Sequence, residues 1–157
     1  MIDLYNKSPR ILVIGDLIID QYLWGSCDRI SPEAPVQIVN IDSENVVLGG
    51  AGNVVNNLKS LGAKVDVISV VSDSKNSEIL RELLEEIGVD TKYLITQKNR
   101  IDSKKSRIIS SQQQVVRYDH ESTEEIDFKS QKLLIDIFKR VVKKYEIVLL
   151  SDYNKGV

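Results

Sequence analysis

Short apolar runs alternate along this chain with stretches in which apolar residues recur every three or four positions. The uniformly apolar run 11–14 predicts a central strand of a parallel sheet, covered on both faces. Runs at 65–71 and 147–150 predict two further buried strands. The recurring pattern predicts three helices, with the apolar faces Val54, Leu58 and Leu61; Ile79, Leu80, Leu83, Leu84 and Ile87; and Leu134, Ile137, Phe138, Val141 and Tyr145. Strands that alternate with helices predict an α/β fold with a mainly parallel sheet.

The pattern changes between the first strand and the first helix. Two prolines in the run 31–35 interrupt regular structure before a strand begins at Val36. The apolar phase of that strand flips between Ile38 and Val39, which predicts a bulge or apolar contacts on both faces. We interpret the segment from about 22 to 47 as a small β-flap outside the core.

Turn residues mark the ends of other elements. Gly62 and Gly88 follow the first two predicted helices at the position that favours glycine. The segments 105–109 and 114–118 are typical of an antiparallel pair of strands, joined around Ser110-Ser111.

Composition narrows the function classes. The chain has 157 residues, long enough for one domain with a core, and its net charge of −2 indicates no general attraction to nucleic acid or to an anionic membrane. Cys27 and His120 are the only residues of their kinds, which excludes an internal disulfide and disfavours a histidine-based triad or multi-histidine metal site. The first ten residues lack the apolar core of a signal peptide, and no run is long enough to span a bilayer. We therefore expect a cytoplasmic protein.

The glycine cluster that opens the first helix is the most informative motif. Gly49, Gly50 and Gly52 precede an amphipathic helix, so backbone N–H groups at its start are available to a ligand. A dinucleotide fingerprint is excluded because its third glycine falls on Val55, and a P-loop is excluded because Asn53 follows Gly52. The amide of Asn53 suits hydroxyl groups better than a pyrophosphate.

Two acids lie near the end of the first strand. Asp16 follows that strand directly, and Asp20 comes four residues later. Carboxylates accept paired hydrogen bonds from neighbouring hydroxyls, as in many sugar sites. The alternative is a turn aspartate and a helix cap, but the nearby glycine cluster favours a site for a polyhydroxylated small molecule.

Basic residues in the second half provide candidates for an anion site. Arg107 and Arg117 lie in the predicted strand pair, and guanidinium groups bind phosphate in a two-pronged manner. The alternative is cross-strand pairing with Asp119 or Glu121. Lys155, just beyond the last predicted strand, is a further phosphate candidate or a solvated loop lysine.

Several segments together resemble one known family. They are Val13-Ile14-Gly15-Asp16-Leu17-Ile18-Ile19-Asp20, Arg29-Ile30-Ser31-Pro32-Glu33-Ala34-Pro35-Val36, Leu48-Gly49-Gly50-Ala51-Gly52-Asn53-Val54, 113–119 and Leu150-Ser151-Asp152-Tyr153-Asn154-Lys155-Gly156. This combination resembles the ribokinase-like (PfkB) carbohydrate kinase family across essentially the whole chain. The resemblance implies a ribokinase-like three-layer α/β fold, with a mainly parallel sheet and a small β-lid.

The run 30–35 is more specific, since it is similar to the branch of the family that acts on heptose 7-phosphate. The resemblance implies ATP-dependent, Mg²⁺-assisted phosphorylation of D-glycero-β-D-manno-heptose 7-phosphate at its anomeric hydroxyl, giving the 1,7-bisphosphate used for ADP-heptose and lipopolysaccharide. Two alternatives stay open: a PfkB-type kinase for another sugar, and a non-catalytic module for sugar-phosphate binding or dimerisation.

The resemblance also implies roles for individual residues. It assigns Asp16, Asp20, Gly49, Gly50 and Asn53 to the sugar hydroxyls. It assigns Arg117 and Lys155 to the 7-phosphate, with Arg107 as a helper. The lid, about 22–47, would pair with a second copy in a homodimer.

The sequence departs from the family at the catalytic step. The family's catalytic base is an aspartate in a Gly-x-Gly-Asp segment, and no such segment occurs in 1–157. We therefore expect the base and most of the nucleotide site beyond Val157. We expect 1–157 to be the N-terminal part of a kinase domain, truncated on its C-terminal side, inactive alone and without a metal site.

Overall fold

The structure is a computed structural model and describes residues 8–157. Residues 1–7, where the predicted domain begins and a signal peptide was considered, lie outside the described residues. The strands are β1 Arg10–Gly15, β2 Leu17–Ile30, β3 Gln37–Gly50, β4 Lys64–Val71, β5 Leu94–Thr96, β6 Ser103–Ser110, β7 Gln113–His120 and β8 Ile147–Ser151. The helices are α1 Ala51–Ser60, α2 Lys75–Glu86 and α3 Phe128–Val141, with a short 3₁₀ helix at Val142–Lys144.

A parallel sheet with the order β5-β4-β1-β8 forms the centre of the fold, which confirms the predicted α/β class. Successive residues of β1 point to opposite faces of this sheet. Val13 packs in the core cluster that contains Val55 of α1 and Leu84 of α2. Leu12 packs in the cluster on the other face, which contains Val141 of α3. Helices thus cover both faces and produce three layers.

A second sheet, with the order β3-β2-β6-β7, carries the predicted flap, and we call it the lid. Strand β2 is antiparallel to β3 and parallel to β6, and β6 forms the predicted antiparallel pair with β7. The lid is therefore larger than the segment 22–47, since its strands extend to Leu17 and Gly50 and include a hairpin from much later in the chain. The turn residues of that hairpin are Ser111 and Gln112, both with positive φ.

The bulge expected near Ile38 and Val39 lies at the predicted level, but on the partner strand. Ser26 pairs with Asn40 and Arg29 with Ile38, so β2 has two residues opposite Val39. The apolar phase flip therefore accompanies an irregularity whose extra residue belongs to β2.

Two predictions about burial are wrong. Leu61 does not extend the buried face of α1, because the helix ends at Ser60 and Leu61 is 83% exposed. Strand β8 is in the predicted place, but Leu150 is 74% exposed. Among the described strands β8 pairs only with β1, so it is an edge strand with incomplete cover. Tyr145, predicted on the face of the third helix, lies beyond the end of α3, but it packs on the core cluster that contains Leu12 and Val141.

Strand β5 was not predicted from the sequence.

Candidate functional site

The glycine turn joins the lid to the core. Gly50 has φ +54°, and a Cβ there would lie 2.5 Å from the carbonyl oxygen of Asp16. The same oxygen accepts a hydrogen bond from the N–H of Ala51 at 2.9 Å. Gly50 begins α1 without a capping side chain, so the first turn of the helix presents backbone N–H groups beside the lid. This confirms the local structure predicted for the cluster.

Asp16 organises the loop that follows β8. Its side chain is 1% exposed. One carboxylate oxygen accepts hydrogen bonds from the backbone N–H groups of Tyr153 at 2.8 Å and Lys155 at 3.1 Å, and the other accepts from the N–H of Val157 at 3.0 Å. The sugar-binding role of Asp16 stays a prediction, and in this structure the carboxylate is bound by the protein backbone.

Asp20 lies on the lid face nearest the glycine turn. Arg107 donates a hydrogen bond from Nη1 to Oδ1 of Asp20 at 2.5 Å, and its guanidinium lies 5.3 Å from the ring centroid of Tyr22. The hydrogen bond that Arg107 donates to Asp20 raises the pKa of Arg107 above its usual value. Arg107 therefore pairs with Asp20, and not with the Asp119 or Glu121 considered from the sequence. For Arg117 the structure does show the considered pairing with Asp119. The Tyr22 ring also stacks on Trp24, with centroids 5.6 Å apart.

A charge cluster continues from Asp20 across the lid. Strand pairing places Asp20 beside Lys105, and Arg107 opposite Arg117. Because alternate residues of a strand share one face, these side chains extend in the same direction. Within the cluster, Lys105 contacts Asp119 at 3.0 Å and Glu121 at 2.8 Å, Arg117 contacts Asp119 at 3.0 Å, and Lys155 contacts Glu121 at 2.9 Å. We call these residues, together with Asp20 and Arg107, the lid charge cluster.

Ion pairing shifts the pKa values of Lys105, Asp119 and Glu121 in this cluster. The hydrogen bond from Lys105 lowers the pKa of Glu121, against the opposing effect of burial, and Lys155 acts in the same direction as Lys105. The hydrogen bond from Lys105 also lowers the pKa of Asp119. Burial disfavours the charged form of Lys105, but its hydrogen bonds to Glu121 and Asp119 outweigh that effect and raise its pKa. These shifts favour the charged forms of Lys105, Asp119 and Glu121.

The structure brings most of the predicted residues to one region. Asp20 and Gly49 are in close contact. The side chain of Lys155 contacts Glu121 of the lid charge cluster, and the backbone N–H of Lys155 donates to the carboxylate of Asp16. Asn53 lies exposed in the first turn of α1, and no hydrogen bond joins it to the other predicted residues within 8–157. The binding roles of these residues stay predictions.

Sequence reasoning missed Lys105 and Glu121 as members of the site. The spacing of Lys105 and Arg107, which places both on one face of a strand, was the available signal for the lysine. Glu121 follows the end of β7, and its contact with Lys155 depends on tertiary structure. No local pattern could therefore identify it.

A buried polar junction fixes the start of β6 against the core. Asp102 accepts hydrogen bonds from the N–H of Ser72 at 2.8 Å, from the Ser72 hydroxyl, and from the Ser74 hydroxyl at 3.1 Å. Ser74 is also the N-cap of α2. Arg100, two residues before Asp102, donates to the carbonyl oxygen of Lys155. These contacts hold the lid, α2 and the loop after β8 together.

Residues 8–157 contain no group of three or more histidine, cysteine, aspartate or glutamate side chains placed to hold a metal ion. Within the same residues, no helix has the length and apolar character required to cross a membrane.

The sequence profile described as pfkB family carbohydrate kinase matches residues 8–153. Among curated proteins, the chain is 59% identical over 152 residues to the bifunctional protein HldE of Aliarcobacter butzleri, a match that covers 97% of this chain and 32% of that protein. The chain thus spans about a third of the length of the curated relatives that it matches.

Solved structures with the same fold confirm the predicted ribokinase-like architecture. A carbohydrate kinase from Agrobacterium tumefaciens matches with a TM-score of 0.63 at 18% identity, over 90% of this chain and 45% of that chain. A ribokinase from Arabidopsis thaliana, solved with ribose and ATP, matches with a TM-score of 0.60 at 15% identity, over 92% of this chain and 45% of that chain.

Proposed function

This chain belongs to the pfkB family of carbohydrate kinases, and we propose that it forms the sugar-binding part of a kinase for D-glycero-β-D-manno-heptose 7-phosphate. The complete protein would phosphorylate the anomeric hydroxyl of that sugar with ATP and Mg²⁺. The product would serve the synthesis of ADP-heptose for lipopolysaccharide in the cytoplasm. The similarity to HldE proteins supports this choice of branch, together with the sequence run 30–35.

One observation carries the proposal. Asp20 lies beside the side-chain-free turn Gly49–Gly50, on the lid face that also holds Lys105, Arg107 and Arg117. Lys155 reaches the same cluster from the loop after β8 through its contact with Glu121. Carboxylates bind sugar hydroxyls, and clustered ammonium and guanidinium groups bind phosphate. A ligand that carries both hydroxyls and a phosphate is the class that matches this combination.

Each group has a defined task in this proposal. Gly49 and Gly50 let a sugar approach the backbone, and Asp20, oriented by Arg107, accepts hydrogen bonds from the hydroxyls. Arg117 and Lys155 neutralise the 7-phosphate, and Asn53 and Asp16 complete the hydroxyl contacts. These contacts position the anomeric hydroxyl, and positioning is a large part of phosphoryl-transfer catalysis.

Within 8–157, no three or more histidine, cysteine, aspartate or glutamate side chains are grouped to hold a metal ion. The glycine turn lacks both nucleotide fingerprints, as the sequence showed. We therefore propose sugar binding as the role of the described residues.

We also propose that the lid pairs with a second copy of the protein. Its outer strands β3 and β7 each have an unpaired edge among the described residues. Apolar side chains on the lid are exposed, and exposed apolar patches commonly mark interaction sites. They are Trp24, Ile30, Val36, Ile41, Val115 and Val116.

Isothermal titration calorimetry of this chain with heptose 7-phosphate, fructose 6-phosphate and ribose tests the proposed sugar. We expect the heptose 7-phosphate to bind at least tenfold more tightly than the others, because ribose lacks a phosphate and the similarity to HldE proteins favours the heptose over fructose 6-phosphate. Asp20→Asn should weaken that binding, whereas Asp73→Asn, on an exposed loop, should not. Equal affinity for the three ligands would contradict the assignment, as would equal turnover of them by the complete protein.

A further inference from the structure

Glu121 forms a bridge between two cations that come from distant parts of the chain. Lys105 Nζ lies 2.8 Å from Oε2 of its carboxylate, and Lys155 Nζ lies 2.9 Å from Oε1. The exposed fractions of the side chains are 22% for Glu121, 18% for Lys105 and 14% for Lys155. The bridge is thus partly shielded from water, and each lysine has its main anionic contact in this one carboxylate or in neighbouring Asp119.

A carboxylate held between two ammonium groups resembles a bound anion. It presents two oxygens from one carbon, just as a phosphate monoester presents terminal oxygens from one phosphorus. The phosphate carries nearly two negative charges at neutral pH and has three such oxygens, whereas Glu121 has one charge and two oxygens. A phosphate that enters between Lys105 and Lys155 is therefore the stronger ligand for both ammonium groups.

We propose that Lys105 joins Lys155 and Arg117 in the phosphate subsite, and that Glu121 occupies the space between the two lysines as an internal competing anion until a phosphate displaces it. The inference rests on the proposed function only for the identity of the sugar that carries the phosphate. It gives Lys105 and Glu121 roles that the sequence did not predict. It also leaves Arg107 in its observed contact with Asp20, where it orients the acid that binds hydroxyls.

Because Glu121 already contacts both lysines, an anion binds between them only if its interaction with them is stronger than that of the Glu121 carboxylate. A monoanionic group gains little when it replaces Glu121, because it exchanges one carboxylate-like contact for another. A dianionic phosphate gains one additional charge interaction. Glu121 therefore lowers the affinity for all anions but favours phosphate monoesters over carboxylates, which is a specificity role.

Titration of the chain with inorganic phosphate at constant ionic strength tests the proposal without any sugar. We expect Glu121→Gln to bind phosphate about five times more tightly than the unmodified chain, since the competing carboxylate is gone and the two lysines remain. Lys105→Met and Lys155→Met should each weaken binding about tenfold. Glu124→Gln is the matched control, because it removes one charge from the same segment at an exposed position.

A stability measurement separates this role from a structural one. Without phosphate, Glu121→Gln should lower the melting temperature, while the phosphate affinity rises. A purely structural Glu121 would lower both, and that result, or an affinity equal to that of Glu124→Gln, overturns the proposal. If Glu121→Gln does not fold, Glu121→Asp replaces it; this side chain is too short to bridge both lysines, and it should also bind phosphate more tightly. If phosphate binds as expected while heptose 7-phosphate binds no better than phosphate, the proposed function fails and this inference stands.

Discussion

A Cβ atom on Gly49 would lie 2.3 Å from Oδ2 of Asp20. This distance is far below any normal contact, so the carboxylate can stand against β3 only because residue 49 has no side chain. A glycine on β3 thus determines where the side chain of Asp20, a predicted sugar-binding residue on β2, can lie.

Gly49→Ala should therefore displace Asp20 and disturb its contact with Arg107. We expect the affinity for the sugar phosphate to fall about tenfold, as is usual when a charged hydrogen-bonding group leaves its position. Calorimetry with heptose 7-phosphate measures the effect. Gly62→Ala is the control, since a Cβ there meets no atom within 4 Å although φ is +88°. It should cost about 1 kcal/mol of stability and leave binding unchanged.

The Glu121 bridge predicts a difference in acid stability. A carboxyl group whose pKa is lower in the folded state stabilises the fold above its unfolded pKa, and that contribution is lost as the pH falls through the folded pKa. The usual value for glutamate is 4.5, and the pKa of Glu121 lies below it. At pH 7 the unmodified chain should exceed Glu121→Gln by about 0.5 to 1 kcal/mol in free energy of unfolding, a range expected of partly exposed pairs.

Urea denaturation at a series of pH values measures this difference. The gap between the two proteins should narrow as the pH falls below 4.5, through the folded pKa of Glu121. Glu125→Gln, at an exposed position of the same segment, should show no comparable gap at pH 7. A gap that does not change as the pH falls to the acid limit of the native state would mean that the ion pairs are not its source.

Asp102 should contribute to stability more than its exposed neighbours do. It is 6% exposed and accepts the N–H and hydroxyl of Ser72 and the hydroxyl of Ser74. Asp102→Asn places an amide donor beside these donors, and we expect a loss of about 1 to 3 kcal/mol in the free energy of unfolding. Asp73 is exposed, so Asp73→Asn should change the free energy of unfolding by less than about 0.5 kcal/mol. Equal effects of the two substitutions in urea denaturation would refute the importance of the junction.

The proposed lid dimer predicts the effect of a charge on its apolar surface. Ile30 is 68% exposed near the end of β2. Ile30→Lys should shift the protein from dimer to monomer, because burial of a lysine in an apolar interface is unfavourable. Light scattering after size-exclusion chromatography measures the mass. Leu61→Lys, at the residue that follows α1 and is 83% exposed, should leave the dimer intact. A monomeric unmodified chain at high concentration would contradict the proposal itself.

Local backbone chemistry made much of the fold predictable. The apolar run of β1, the stripe of α2 and the glycines Gly62 and Gly88 report on their immediate neighbours, and the structure confirms all of them. Burial at Leu150 could not be predicted in the same way. It depends on what packs against an edge strand, and the strand's own residues do not encode that.

The site shows the same division. The glycine at position 50 indicated a turn with positive φ, because few residues other than glycine adopt that backbone angle. The pairing of Asp20 with Arg107 required β2 to lie parallel to β6, which begins 86 residues after β2 does. The hydrophobic periodicity of the sequence does not indicate which distant strand pairs with β2. The ion pairs of the lid could therefore not be predicted from the sequence.

The three backbone N–H groups on the Asp16 carboxylate couple two events that would otherwise be independent. Oδ2 of Asp16 already accepts two hydrogen bonds, so a hydroxyl that binds this oxygen must displace the N–H of Tyr153 or of Lys155 from it. Carbohydrate capture and the conformation of the loop after β8 are then parts of a single equilibrium. The exchange rates of those amide protons with solvent would report occupancy directly, without any label on the sugar.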